Sequence, residues 1–429
     1  VLLLAAGLRL WGLFHDLPWS FYGDELHLVK RAMAMGTGDP NPHWFSKPAG
    51  LMYMLLFLFG LFYLAGAAFG SFASPEAFGA WFLADQGAFL LIGRLFVFAF
   101  GLAAVLFTYL FCRRALGSRG AALAVAAVTA FVPPMVLGSQ YVKEDVPSAA
   151  CAIGGLFALR IAGERNRARF WLAAGALFGL STATKFYGVL FLPAAVVWIL
   201  AAGASGRIAR AGRGAILFLG AFALTTFAAT PYSFLDPAFL NELALRISTF
   251  LAGDLPAFDP DNGVSFTYGA GAISGALGHV LSLTVEPAVF GPFLLPLAAL
   301  GALTVLRRPR GDGLGWLLFV PVLVFLAVAV TIHAYHPSPR HYTAILPLLA
   351  CLAWLGAERL ARPLARRLRR PWPMVAAGIL LVAAIPNAWE SVAETRELAK
   401  LDSRSWRRCG SANISRAMHA SCSTTTGRS

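Results

Sequence analysis

Charge is what this chain has least of. Asp, Glu, Lys and Arg make up 13% of its 429 residues, while 58% are hydrophobic and the mean hydropathy is +0.68. A soluble domain carries about 25% charged residues, so that class is excluded and a polytopic membrane protein is indicated. Cysteine is sparse as well. Five are present, with no CxxC pair, and Cys112, Cys151 and Cys351 fall in or at the ends of apolar runs, so neither a disulfide framework nor a thiolate metal site follows. Lysine is scarcer than the net charge of +14 suggests: only five of the 35 basic residues are Lys. The basic residues stand in short runs between apolar stretches, and no basic, aromatic-interleaved domain is visible, which excludes a nucleic-acid partner.

What is abundant is long apolar sequence. Segments 1–14, 51–68, 90–112, 119–138, 147–162, 170–184, 186–203, 214–231, 288–306, 314–333, 341–358 and 373–387 can each be read as a helix at or near bilayer length. Residues 1–14 lack a small-residue cleavage site, so they read as a span and not a signal peptide. Five arginine-rich runs, at 113–119, 160–169, 207–213, 307–310 and 359–370, are each separated from the next by two spans. All five can therefore face the cytoplasm together. Residues 69–89 contain no Lys or Arg to hold a cytoplasmic turn, so 51–68 is expected to be re-entrant or interfacial on the outer side. The expectation is an all-α integral membrane protein of the inner (plasma) membrane, with about eleven transmembrane helices and juxtamembrane helices on the outer face. Residues 1–400 form one domain, with a first outer loop at 15–89 and a long one at 232–287. Residues 401–429 lack apolar periodicity and read as a disordered, possibly non-native tail.

With that topology the outer loops collect acids, bases and aromatics on one surface. Tyr22-Gly-Asp24-Glu25-Leu-His27 comes first, followed by His43-Trp-Phe-Ser-Lys47-Pro48, with Arg94 near the outer start of a span. Next are Tyr141-Val-Lys143-Glu144-Asp145, Lys185 with Tyr187, Pro231-Tyr232, and the group His333, Tyr335, His336, Arg340, His341 and Tyr342. An acid beside a membrane is by default a functional hypothesis. Asp24 can equally be a helix N-cap with Glu25 favoured by the helix dipole. Carboxylates that accept a proton, and cations that neutralise a developing phosphate charge, make one consistent chemistry. Because arginine serves wherever any cation will do, Lys47, Lys143 and Lys185 are singled out.

These motifs, together with Gly179-Leu-Ser-Thr-Ala-Thr-Lys185-Phe-Tyr187 and Pro339-Arg340-His341-Tyr342, resemble those of bacterial family 39-type glycosyltransferases. That family is related to the dolichyl-phosphate-mannose protein mannosyltransferases and the aminoarabinose lipid A transferases. The resemblance implies a fold of the GT-C type and sugar transfer from a polyprenyl-phosphate carrier to an acceptor lipid, protein or polysaccharide on the extracytoplasmic face. It implies Asp24 as catalytic base, with Glu25, its neighbour in the paired-acid motif, and Asp145, in a second acidic motif, as further catalytic residues. Lys47, Lys185 and Arg340 match positions near the donor phosphate, and His27, Tyr141, Tyr187, Tyr232, His341 and Tyr342 are expected to line the substrate. The usual Lys-Pro-Pro-Leu is here Lys47-Pro48-Ala49-Gly50, a looser turn. No cofactor is specified; whether a divalent metal bridges Asp24 and Asp145 stays open. The rival reading is a transporter or flippase of lipid-linked sugars, but its charges belong near the bilayer midplane and in inverted repeats. Here they cluster at span ends and no internal repeat is visible.

Overall fold

The structure, a computed structural model, describes residues 1–429 apart from 21, 46, 205–207, 253–277, 279, 308–313, 334–338 and 401–429. The tail at 401–429, residues 253–277 and 279 of the loop at 232–287, Arg308, Arg310, Tyr335 and His336 therefore lie outside the described residues, as do the side chains of Tyr187 and His333. Among the described residues every regular element is helical. In chain order the first are α1 (Leu2–Trp11), α2 (Gly23–Met35), α3 (Gly50–Ala68), α4 (Pro75–Ala84), α5 (Gly87–Ala115), α6 (Arg119–Phe131) and α7 (Pro133–Leu137). Then come α8 (Asp145–Arg165), α9 (Ala168–Thr184), a 3-10 turn Phe186–Phe191, α10 (Leu192–Ala204), α11 (Ile208–Ala229), α12 (Tyr232–Leu235) and α13 (Pro237–Ala252). The remainder are the helices Leu294–Arg307, Leu314–His333, Leu346–Leu368, Trp372–Ala383 and Ile385–Leu398.

Most expected spans correspond to one helix, and the differences have local causes. Segment 119–138 is two helices, because Pro133 and Pro134 lack the N–H groups that would continue the ladder past Val132. Segment 341–358 begins as a 3-10 turn at Pro339–Tyr342, and its α-helix runs to Leu368, through the arginines expected to form a loop. The last span bends by 42° between Trp372–Ala383 and Ile385–Leu398. The stretch expected as the long outer loop starts with two helices, α12 and α13. Among the described residues, four helices can by length and composition cross a membrane alone: Gly50–Ala68, Gly87–Ala115, Asp145–Arg165 and Gly212–Ala229. Gly50–Ala68 is the segment expected to be re-entrant or interfacial, so three of the four are among the expected eleven spans; others fall on shorter helices such as Leu2–Trp11, Arg119–Phe131 and Leu294–Arg307, or on the bent pair.

α8 is almost wholly buried, flanked by α5 and α9, and α9 packs in turn on α11. A second pair, Leu294–Arg307 against Leu346–Leu368, meets at facing glycines. A methyl at Gly301 would run into the Leu352 carbonyl, and one at Gly356 into the Leu297 carbonyl, so the backbones touch. Two directions matter for function. α5 and α8 both start at one end of the bundle, near Arg94 and Asp145, and finish at the other in Arg113, Arg114 and Arg165. α3 is long enough to cross, yet it stays at the starting end. Its Phe59 and Phe62 rest on Phe89 in the first turn of α5, and Phe62 also meets Phe78 and Trp81 of α4. A span running down α5 would instead meet that helix along its length.

Candidate active site

α2 begins at the Gly of the acidic motif. Its N-cap is Tyr22, which makes no side-chain capping bond, and both acids stand in the first turn, where the helix dipole favours them. The N-cap reading of Asp24 is therefore corrected: the carboxylate reaches to other elements. Successive helical residues diverge by about 100°, so the two neighbours face different surroundings. Asp24 opens to the surface, with its side chain 37% exposed, while Glu25 is fully buried.

Glu25 is saturated. Oε1 accepts from Arg94 Nε at 2.7 Å and from the Val142 N–H at 2.9 Å, and Oε2 accepts from Arg94 Nη2 and Ser20 Oγ, each at 2.7 Å. Arg94, equally buried, also donates to Asp16 Oδ1 at 2.9 Å and to the carbonyls of Leu13 at 3.1 Å and His15 at 2.7 Å. One guanidinium thus ties α5 to the end of α1 and the start of α2. The contact with Val142 sets a register: the residue after Asp24 holds the residue before Lys143, which brings those two side chains together across the chain.

Lys143 Nζ sits on Asp24 Oδ2 and lies 5.1 Å from the centre of the Tyr22 ring. The same oxygen takes Arg340 Nη1 at 3.1 Å and faces Lys47 Nζ at 3.8 Å, and Arg340 also donates to the Tyr22 hydroxyl. Lys47 pairs more closely with Glu144, 3.0 Å away, and Lys185 with Asp145, which opens α8. Glu144 is buried; burial opposes its charge, but Lys47, Lys143 and Lys185 outweigh this and hold its carboxyl at about 2. Lys143 is pulled the other way. Burial lowers it to about 8, with Glu144 opposing and Arg340 adding to the fall. Gly50 contributes by what it lacks: a methyl there would strike the Ala183 carbonyl, so α3 seats directly on the end of α9 and brings Lys47 and Lys185 to the same cluster.

The structure brings together Asp24, Lys47, Asp145, Lys185 and Arg340, and it places Glu25 beneath them. His27 stands at the rim, accepting from Arg31 Nε at 2.8 Å, with its ring 4.4 Å from Trp44; burial, then Arg31 and Lys47, lower its pKa. Tyr141 is half-buried between Tyr22 and His15, at ring distances of 4.8 and 4.6 Å. Tyr232 starts α12 half-buried and interacts with Tyr53, and His341 is half-buried beside Arg340. Tyr342 does not line the site: it is fully buried in the main apolar core, so its place is to anchor the turn that carries Arg340. The expected site residues omit Tyr22, Arg94, Lys143 and Glu144. Lysine scarcity flagged Lys143; nothing in the sequence pairs Arg94 with Glu25. Among the described residues no three His, Cys, Asp or Glu side chains converge on a metal-sized site, and the ammonium groups of Lys143 and Lys185 lie on the two carboxylates that a bridging ion would use.

The comparisons with known proteins bear on this arrangement. A sequence profile for the dolichyl-phosphate-mannose-protein mannosyltransferase family matches residues 85–232, about a third of the chain. No curated protein matches the chain in sequence. Among solved structures, ArnT from Cupriavidus metallidurans bound to undecaprenyl phosphate superposes with a TM-score of 0.57 at 16% identity, covering 92% of this chain and 76% of that one. Its apo state gives 0.53 at the same identity and coverage. The apo oligosaccharyltransferase of Archaeoglobus fulgidus gives 0.54 at 14% identity; 92% of this chain is covered, but the match spans 55% of the archaeal protein, about half its length. The chain thus has the all-α membrane fold of the GT-C type that these glycosyltransferases share.

Proposed function

We propose that the protein is an inverting glycosyltransferase that moves a sugar from a polyprenyl-phosphate carrier to an acceptor hydroxyl. The observation that carries this reading is one half-exposed carboxylate, Asp24, surrounded by Lys143, Arg340 and Lys47. Asp24 takes the acceptor proton as the acceptor oxygen bonds to the anomeric carbon. The bond from that carbon to the phosphate oxygen breaks, and polyprenyl phosphate leaves with the electron pair. Arg340, Lys47 and Lys185 receive the charge on the leaving phosphate, and such stabilisation in a water-poor site is often the largest catalytic term. Without donor the cations rest on Asp24 and Glu144; an arriving phosphate competes for them and frees Asp24 to act as a base.

Around Asp24 itself four cations (Lys47, Lys143, Lys185, Arg340) face three carboxylates (Asp24, Glu144, Asp145), a local excess of one positive charge that suits a phosphodiester, while Arg94 in the layer beneath is shared by Glu25 and Asp16. Lys143 and Lys185 supply at Asp24 and Asp145 the charge that a bridging divalent ion would bring. The undecaprenyl phosphate bound by the Cupriavidus relative supports the same carrier class. The arginine-rich helix ends opposite the site favour a plasma-membrane location with the site on the extracytoplasmic face. The acceptor is a lipid, a protein or a polysaccharide.

The test is sugar transfer in membranes from a panel of polyprenyl-phosphate donors, with released carrier and product followed by mass spectrometry. Wild type releases polyprenyl phosphate, and Asp24→Asn inserts equally well but does not. If both leave every donor intact while lipid-linked sugar changes leaflet, the protein is a transporter.

A further inference from the structure

The far end of the helix Leu346–Leu368 carries a dense run of positive charge. Between residues 358 and 370 stand six arginines and one acid, Glu358. Arg362 is already engaged, with Nη2 2.7 Å from Glu358 and its guanidinium 5.1 Å from the centre of the Trp372 ring. Arg359, Arg366, Arg367, Arg369 and Arg370 are exposed, and among the described residues none of them makes an ion pair; Glu358 is the one carboxylate between residues 346 and 389.

The apolar side of the same turns is equally specific. Ala357, Ala361 and Ala365 form a buried row against the protein. Leu360, Leu364 and Leu368, four residues apart and so on one stripe, are exposed at 47, 40 and 54%. The arginines occupy the rest of the circumference. Pro363 stands on the exposed side, where the carbonyl it frees can meet water. Leucines beside a protein-facing row with arginines opposite is the pattern of a helix lying at a membrane surface, and here it continues a buried helix without a break.

We propose that this segment, Arg359–Arg370, is a docking surface for the headgroups of anionic phospholipids, with Leu360, Leu364 and Leu368 entering the acyl region. Charge complementarity selects the occupant: five exposed guanidiniums with no acidic partner among the described residues, beside an apolar stripe, fit a phosphate-bearing bilayer, whereas zwitterionic headgroups leave that charge unanswered. The surface is separate from the candidate active site. A 23-residue helix is about 34 Å long, and Arg340 precedes its opposite end.

The full-length protein, reconstituted in nanodiscs of phosphatidylcholine with or without phosphatidylglycerol, is released and its retained lipids are counted by native mass spectrometry. Wild type keeps phosphatidylglycerol over phosphatidylcholine, and R366Q/R367Q/R370Q loses at least about tenfold of that excess. The charge-preserving R366K/R367K/R370K variant retains it, which separates lost charge from lost folding. Added undecaprenyl phosphate is retained equally by wild type and both variants, because it seats at the other end of the helix. The proposal is overturned if wild type shows no preference for phosphatidylglycerol, if the glutamine variant keeps it, or if the lysine variant loses it.

Discussion

The two ends of the bundle use positive charge in opposite ways. At the end where α5 and α8 begin, three of the chain's five lysines and Arg340 each lie on a carboxylate, and Lys143 is only 4% exposed at its side chain. At the other end the cations are arginines, and along residues 359–370 most are exposed with no acidic partner among the described residues. The sign of the charge is the same, so sign cannot distinguish a site from a membrane-surface stripe. What distinguishes them is pairing and burial. A lysine is a compact charge whose pKa moves when it is buried, while arginine stays charged anywhere. Lysines beside buried carboxylates can therefore take part in chemistry, whereas exposed arginines hold orientation.

The strongest way to break this comparison is to neutralise one charge at each end. Asp24→Asn should lower transfer by a factor on the order of 10² to 10⁴, the usual worth of a general base, with normal membrane insertion. Arg366→Gln should leave transfer at the wild-type rate. Equal losses in the two variants would mean that the site end has no special chemistry. The next largest effect concerns the layer beneath Asp24. Glu25→Ala removes the carboxylate that takes two of the Arg94 hydrogen bonds and leaves the buried guanidinium with Asp16, and breaking such a pair destabilises by up to about 3–5 kcal/mol. Unfolding of the detergent-solubilised variant should show that loss, together with loss of transfer. An unchanged unfolding midpoint would remove the clamp from the account.

The sequence carried more of this than its composition suggests, and the missing parts share a cause. Helix positions were legible because apolar runs report burial directly, and Lys47, Lys143 and Lys185 stood out by scarcity. The arginines of 359–370 were read as a loop because charge density hides a helix whose apolar stripe is only three leucines wide. Glu25 looked like a second catalytic acid because adjacency in sequence says nothing about the turn of a helix, which sends neighbours to different surroundings. Tyr342 looked like a lining residue for the same reason: it adjoins His341 and Arg340 in sequence but points into the core. The partnership of Arg94 with Glu25 spans 69 residues, and a single sequence holds no signal for it.

A smaller effect tests how closely the lysines must be held. Gly50→Ala places a methyl against the Ala183 carbonyl, which cannot rotate away, so the start of α3 must lift from α9. Overpacking of this kind costs about 1–3 kcal/mol, and Lys47, three residues upstream, moves with it. The expected result is a several-fold rise in KM for the donor with a smaller change in kcat. A fall in kcat at unchanged KM would show that Lys47 does not contribute to donor binding.

The smallest effect is a pH dependence whose sign differs between activity and stability. Burial brings Lys143 from its ordinary 10.5 to about 8, while ion pairing with Asp24 works in the opposite direction. Below that pH the ammonium is present; as pH rises through it, the cation beside Asp24 is lost and transfer should decline. Lys143→Arg, charged throughout, should carry activity to higher pH. Stability runs the other way. Between about 8 and 10.5 the unfolded chain binds more protons at this residue than the folded one, so this term makes folding more favourable as pH rises. Measuring transfer and unfolding on the same samples across that window separates the two. If neither changes across that window, the lysine is held charged by Asp24 and its burial counts for less than the ion pair.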